Sequence, residues 1–532
     1  MNVRDVVLDR IQQSGNRPFL IDAATSREIS YGEFHRLACD LAAELQRRGI
    51  QRADRLAVMF PNGCELAVLY FAAMYVGATL VPMNPNLSHG DIEYIVSCAR
   101  PRLIVAHASC INKLRESGLQ PLVCLRAAQG EPTGEDSISL GSLSRVSEFH
   151  PLESVTADDF LVIMFTSGTT ARPKGLVHRI GRMFRNAMSF AEMHGVVEDS
   201  RFYLTLSMAY MGGFYNLLIL PFLRGATVVI DNVFDARSSL SFWERVRRYR
   251  VNTLWFAPTV MSILLKMDRG QTGEEYCRQA MRHVFVGFAP LPLKLKQEFE
   301  TRYGVKLIEN YGLSETLFVT ARSLSAPANA GYVGEAIPGV RLRVMNDDST
   351  PLAANGEGEL QVQTPDLMAG YLAEDGSVAE LDAAEWFSTG DLSRLDENGS
   401  LSITGRKKDM IIRGGVNISP AAIEDVLLHA AGVADVAVVS IPHELYGEDV
   451  VAVLKLEPGV QLESILQKVI AQASRELAVH QQPARYIAID DFPRTSNGKI
   501  QKARLRELVF EKLQMGSEAL LRSRPVPQRA AG

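Results

Sequence analysis

The run that decides the fold is Phe165-Thr166-Ser167-Gly168-Thr169-Thr170-Ala171-Arg172-Pro173-Lys174-Gly175. An apolar stretch at 160–165 leads into it and reads as a strand that delivers the chain there. Thr166, Ser167, Thr169 and Thr170 offer short hydroxyl donors, and Lys174 adds a cation. Gly168 and Gly175 allow backbone shapes and close approaches that bulkier residues forbid. Donors of this kind around a lysine suit a polyphosphate. The plain alternative is a polar surface turn with an exposed lysine. A Walker A loop is excluded by spacing, since it ends in Gly-Lys-Ser/Thr. Here Pro173 precedes Lys174 and Gly175 follows it.

Around this run the chain alternates strands and helices. Residues 19–22 and 27–29 read as a hairpin. Ser30 then starts a helix, with Glu33 completing a capping box. Phe34, Leu37, Leu41 and Leu45 mark one face of that helix. The strand–helix alternation continues to Val105 and predicts parallel sheets covered by helices. Residues 126–156 read as a polar surface connection. After the glycine-rich run, 201–206, 252–256, 283–286 and 306–309 read as strands, with 208–213 as a loop. Three strand ends carry Gly or Pro punctuation, at Ala257-Pro258, Gly287-Phe288-Ala289-Pro290 and Asn310-Tyr311-Gly312. Ligands gather beyond the carboxyl ends of such strands, so one pocket is expected there. From 331 to 401 short strands and turns predict a β-rich subdomain. The charged run Gly405-Arg406-Lys407-Lys408-Asp409 reads as a boundary, and about a hundred residues beyond it suffice for a second domain.

The fold expected is therefore α/β. A large N-terminal domain of layered sheets and helices spans 1–404, a hinge 405–409, and a small mobile α+β domain 410–515. Residues 516–532 read as a disordered tail. With 532 residues the chain is too long for one ordinary core. Its 47% hydrophobic and 22% charged residues are those of a soluble globular protein. Net charge is −5 with both signs interspersed, which leaves no basic stripe for nucleic acid. The six cysteines form no C-x-x-C pair, arguing against zinc and disulfides. No apolar run is long enough to span a membrane, and the N-terminus has no signal-peptide core. Cytoplasmic location is the default expectation.

The run at 165–175 resembles the phosphate-binding signature of the adenylate-forming superfamily, with Ala171 where glycine is usual. The resemblance extends from about residue 10 to 510, and its motifs fall in the family's order. It points to the acyl- and aryl-CoA synthetase branch. Tyr311-Gly312-Leu313-Ser314-Glu315 is similar to the family's Y-G-x-T/S-E motif. The resemblance implies that Tyr311 stacks on adenine, Ser314 meets phosphate and Glu315 helps hold Mg²⁺. Gly287 and Ala289, with Asn310 and Gly312, would wall the adenine site. Asp391, in Ser388-Thr389-Gly390-Asp391, matches the aspartate that accepts both ribose hydroxyls. Arg406 would contact the nucleotide, and Lys408 occupies the pivot position of the hinge. Gly414 and Gly415 match the tunnel for phosphopantetheine. Lys499, in Pro493-Arg494-Thr495-Ser496-Asn497-Gly498-Lys499, matches the catalytic lysine. Taken singly, most of these stretches read as surface turns or solvated charge.

The activity implied uses ATP, Mg²⁺ and coenzyme A. A carboxylate attacks the ATP α-phosphorus, and a pantetheine thiol then takes the acyl group from the adenylate. The 208–214 loop lacks the aspartate of amino-acid-activating relatives, and Tyr210 stands where acyl synthetases carry histidine. An aliphatic or aryl acid is expected, with Tyr210, Met211, Phe214 and Leu313 as pocket residues or ordinary core. Two alternatives stay open: a ligase that stops at the adenylate or loads a carrier protein, and a non-catalytic acyl or nucleotide sensor.

Overall fold

The computed structural model describes residues 2–119, 123–126, 137–139, 150–166, 172–322, 331–494, 500–514 and 521–522. Six strands run parallel, side by side: Leu307–Leu313, His283–Val286, Thr253–Phe256, Arg201–Leu204, Thr227–Ile230 and Pro18–Asp22. Most of their residues are buried and apolar, as strands covered on both faces must be. The strands of the expected β-rich region continue this sheet antiparallel, from Leu317–Ala321 to Arg341–Met345.

A second sheet is built on Arg55–Met59, Thr79–Met83 and Phe160–Thr166. Phe160–Thr166 pairs antiparallel with Lys174–Arg179, so Thr166 lies opposite Lys174. One apolar core joins the two sheets. It takes Leu56, Leu80 and Val162 from one, Leu204, Phe285 and Ile308 from the other, and the inward faces of helices between them. The helix Cys64–Val76 is apolar almost all round, and twelve of its residues are buried. The helix Tyr31–Arg47 buries the predicted stripe of Phe34, Leu37, Leu41 and Leu45. Ser30 caps it, accepting the Glu33 amide at 3.1 Å, but the Glu33 carboxylate turns to Arg27 at 2.9 Å. Half of the expected capping box is thus replaced by an ion pair.

The large sheet's strand Leu401–Arg406 is followed by a single 3₁₀ turn, Lys407–Asp409. The next strand, Ile411–Arg413, belongs to a third sheet. Helices Pro420–Leu428 and Leu462–Glu476 pack on one face of that sheet, and Leu505 and Val509 of the helix Lys502–Gln514 pack on the other. This smaller C-terminal domain is α+β with its own core. No helix among the described residues is long and apolar enough to cross a membrane.

Four expectations change in detail. The stretch 126–156 was to be a surface connection, yet Ser137–Ser139 joins the second sheet beside Val123–Arg126. The strand at 306–309 runs on to Leu313, because Asn310 to Leu313 find antiparallel partners in 317–321. The loop at 208–213 is shorter, since π-helical turns begin at Gly212 and run into the helix Leu220–Arg224. Of the expected disordered tail, Leu521–Arg522 is described and pairs with Arg485 and Tyr486, while the remainder lies outside the described residues.

Candidate active site

The parallel strands deliver their carboxyl ends to one edge, and cross-links hold those ends in place. The Gly287 amide donates to Phe256 O at 3.1 Å, and the Asn310 side-chain amide to Val286 O at 2.9 Å. Gly287 is buried, Ala289 exposed and Asn310 half-buried. Just behind them Lys296 and Glu309 form a buried ion pair, whose carboxyl is pushed up by desolvation against the opposing pull of Lys296. At the tip of the next hairpin Gly312 lies under the neighbouring chain. A Cβ there would meet Leu317 O at 2.1 Å, so only glycine fits.

Tyr311 Oη donates to Asp391 Oδ2 at 2.5 Å, and Arg406 Nε lies 2.5 Å from Asp391 Oδ1. Asp391 and Arg406 face each other across paired strands, and the carboxylate is almost wholly buried. Burial and then the Asp391 charge hold the Tyr311 phenol well above its ordinary value. Tyr311, Asp391 and Arg406, far apart in sequence, are therefore one hydrogen-bonded chain. An ionised carboxylate with four acceptor positions keeps capacity for further donors such as vicinal hydroxyls.

A second cluster joins Lys174, Tyr371 and Glu315. Lys174 Nζ stands 5.6 Å from the Tyr371 ring centroid, and Tyr371 Oη lies 3.5 Å from Glu315 Oε1. Burial and then Glu315 push the Tyr371 phenol up to about 12, which keeps it a neutral donor. Tyr371 is placed by the strand Gly370–Leu372, which pairs with Lys174–Arg179. The Met368 amide donates to Glu315 O at 2.8 Å and fixes the glutamate's backbone as well. Ser314 is half-buried beside His178, whose imidazole burial pulls down to about 4 while the Ser314 backbone opposes the shift. Lys408 stands within electrostatic reach of both clusters. Desolvation lowers its ammonium, Arg406 and Lys174 add to the fall, and Asp409 and Asp391 resist it.

On the acid side, Tyr210, Met211 and Leu313 are half-buried. Phe214 is not at a surface at all: it is fully buried, edge-on to Tyr70 with centroids 5.0 Å apart. The core reading takes that residue. The loop is clamped by Asn62, whose amide donates to Leu206 O at 2.9 Å and Asp231 O at 3.1 Å while its oxygen accepts the Met208 amide at 2.9 Å. Gly213 passes so close to Ser207 O that a Cβ would stand 2.3 Å from it.

Gly414 and Gly415 form the turn between Ile411–Arg413 and Val416–Ile418, at φ +59° and +82°. Both are exposed, and the Gly414 amide donates to Tyr446 O at 2.8 Å. The neighbour of Gly414, Tyr446, belongs to the smaller domain. Ser167, Gly168, Thr169, Thr170 and Lys499 lie outside the described residues. Sequence reasoning missed Tyr371 and Asn62. Tyr371 is the middle residue of a three-residue strand and Asn62 lies in the loop between Arg55–Met59 and Cys64–Val76, and only pairing and hydrogen bonds with distant segments bring them to the site.

Comparison with known proteins places this geometry. Residues 7–372 match the family model described as AMP-binding enzyme, and residues 422–499 match AMP-binding enzyme C-terminal domain. The indoleacetate–CoA ligase of Aromatoleum aromaticum is 30% identical, over 91% of this chain and 94% of that protein. The sulfoacetate–CoA ligase of Cupriavidus necator is 29% identical, over 93% and 96%. Among solved structures, ATP-bound MatB from Rhodopseudomonas palustris superposes with a TM-score of 0.82 at 26% identity, covering 96% of this chain and 99% of that one. With a family model matched across most of its length and both domains in order, the chain belongs to the AMP-binding enzyme family.

Proposed function

We propose that the chain is an AMP-forming acid–thiol ligase that activates a non-amino carboxylic acid and passes it to coenzyme A. The observation that carries this reading is the pair of clusters Lys174–Tyr371–Glu315 and Tyr311–Asp391–Arg406, with Lys408 within electrostatic reach of both. Asp391 would accept the ribose hydroxyls, Tyr311 and the 287–289 loop with Asn310 and Gly312 would enclose adenine, and Arg406 would reach the nucleotide. Thr166, Ser167, Gly168, Thr169, Thr170 and Lys174 would cradle the phosphates, helped by Ser314. Among the described residues no three His, Cys, Asp or Glu side chains gather to hold a metal. The single carboxylate of Glu315 would hold Mg²⁺ together with phosphate oxygens, hard ligands of the kind this ion prefers. The ion would neutralise charge on the leaving pyrophosphate.

The carboxylate attacks the α-phosphorus in line, so positioning and charge neutralisation do most of the catalysis. Lys499 would bridge the carboxylate and the α-phosphate. Rotation of the small domain about 405–409, with Lys408 as pivot, would then withdraw Lys499 and present Gly414 and Gly415 to the pantetheine arm. The acyl carbon takes the thiol sulfur, and AMP leaves with the phosphate oxygen. Leu206 to Phe214 supply no carboxylate, and burying an unpaired α-ammonium would cost several kcal/mol, which argues against amino acids. The thiols of Cys39, Cys64, Cys98 and Cys277 are in no disulfide, in keeping with a reducing cytoplasm. A carrier-protein acceptor is the second reading, because it presents the same arm. The test is acid-dependent ATP–pyrophosphate exchange and AMP release, with apolar acids and amino acids, with and without CoA. Exchange with apolar acids and CoA-dependent thioester are expected. Activation of amino acids alone would overturn the substrate class, and loading of a holo carrier protein without CoA thioester would overturn the acceptor.

A further inference from the structure

The run Arg245-Val246-Arg247-Arg248-Tyr249-Arg250 carries four arginines in six residues and closes the helix Phe242–Arg248. Two of the four are spoken for. Arg245 pairs with Asp231, and Arg247 with Glu244. Arg248 and Arg250 instead line a cleft of about 390 Å³, where Arg201 joins them from the start of the strand Arg201–Leu204. None of these three forms an ion pair among the described residues. The one carboxylate lining the cleft is Glu28, so three cations face a single anion. Cations at a helix C-terminus are favoured by its dipole, which accounts for Arg248 but not for Arg201.

The cleft is held in shape by Tyr249, which is buried. Its carbonyl accepts Arg201 Nη1 at 2.8 Å, and its hydroxyl donates to Ala23 O at 2.9 Å. The Arg248 guanidinium stands 5.3 Å from the Tyr249 ring centroid and donates from Nη2 to Ser26 Oγ at 2.9 Å. Among the described residues, Arg201 and Arg248 thus each use one of five side-chain donors, and Arg250 uses none. Burial lowers the Arg201 guanidinium from its ordinary value, Glu28 opposes the fall and Arg250 adds to it. Cations gathered in this way cost free energy that a bound anion would offset. Planar guanidinium forks match phosphate oxygens in pairs, and a cleft of this volume is of ligand size.

We propose that this cleft is a second anion site, which takes the phosphate groups of a small metabolite and is separate from the Asp391 edge. Arg201 opens its strand, whereas the carboxyl end of that strand leads to the loop clamped by Asn62. Such a ligand has two sources of the same chemistry, a free diphosphate or a phosphate monoester. The site does not depend on the ligase reading.

The experiment is equilibrium dialysis of the full chain against radiolabelled pyrophosphate and, separately, ribose 5-phosphate. It is run at about 0.15 M salt, where long-range surface attraction is screened. The proteins are wild type, Arg250→Gly, the double variant Arg248→Gln with Arg250→Gly, and Lys174→Ala to remove phosphate binding at the other edge. A saturable site is expected that Lys174→Ala retains. Arg250→Gly should weaken it about tenfold and the double variant about a hundredfold, the scale for losing one and two charged hydrogen bonds. Glycine suits the φ of +52° at Arg250, so the thermal transition of Arg250→Gly should survive. Tighter binding of pyrophosphate identifies a diphosphate as the ligand, and tighter binding of ribose 5-phosphate a monoester. A site that Lys174→Ala abolishes and the double variant leaves unchanged overturns the proposal. So does the absence of saturable binding of either probe to wild type.

Discussion

The Asp391 edge and the Gly414–Gly415 turn are built in opposite ways. At the first, Asp391 is almost wholly buried and engaged by Tyr311 and Arg406 from two other strands. At the second, two glycines with positive φ stand exposed on a hairpin flanked by exposed Ile412, Val416 and Leu445. The large domain holds its polar groups in place with its own side chains. The small domain offers a bare backbone turn with an uncovered apolar surround. Pre-oriented charge suits the step that must stabilise a crowded phosphate transition state. A bare turn suits a step in which a long, flexible arm must slide past.

The largest expected effect breaks this division of labour. Lys499→Ala should lower adenylate formation by roughly 10²–10³-fold, the scale for losing one charge stabiliser. Thioester formation from supplied acyl-adenylate should stay near wild type. Equal loss in both half-reactions, followed separately by pyrophosphate exchange and by thioester yield, would count against a role for Lys499 confined to the first step.

A smaller effect should separate the regions without altering either. Lys408→Pro fixes φ within the 3₁₀ turn Lys407–Asp409. It should slow the thioester step about tenfold or more relative to adenylation, if the barrier added is of the order of a kcal/mol or two. Single-turnover thioester formation at the wild-type rate would show that the pivot lies elsewhere.

The smallest effect sharpens the contrast from the large-domain side. Tyr371→Phe removes the weak contact with Glu315 but keeps the ring over Lys174, and should raise the KM for ATP about two- to fivefold. Tyr371→Leu loses the ring as well, and about tenfold is expected. If both variants bind ATP as the wild type does, Tyr371 has no positioning role.

How much of this was legible beforehand follows from the range of each interaction. The parallel strands were readable because burial on both faces leaves near-continuous apolar runs. The hairpin at 18–30 and the stripe of Tyr31–Arg47 were readable for the same reason: their signals are local. Local reading failed where a distant partner decided the outcome. Asn310 to Leu313 became strand because 317–321 was there to pair with. Phe214, a sensible pocket residue by spacing, is claimed by Tyr70 from a helix some 140 residues earlier. Motif spacing picked out Tyr311 and Asp391 as separate groups, but not that one hydrogen-bonds the other. Tyr371 was silent because one tyrosine before a leucine carries no pattern until the sheet sets it opposite Leu176.

The pairing of Asp391 with Arg406 has a thermodynamic corollary. Arg406 is the last residue of its strand, and the 3₁₀ turn toward the small domain begins at the next residue. A nucleotide whose hydroxyls donate hydrogen bonds to Asp391 would draw on the same carboxylate that anchors that strand end. Occupancy of the proposed nucleotide site and freedom of the turn would then be two readings of one equilibrium. Linkage makes the coupling reciprocal, so a change that stiffens 407–409 must alter nucleotide affinity by the same factor that the nucleotide alters the turn. The ribose would act as a clutch, loosening the large domain's hold on the segment that lets the small domain turn.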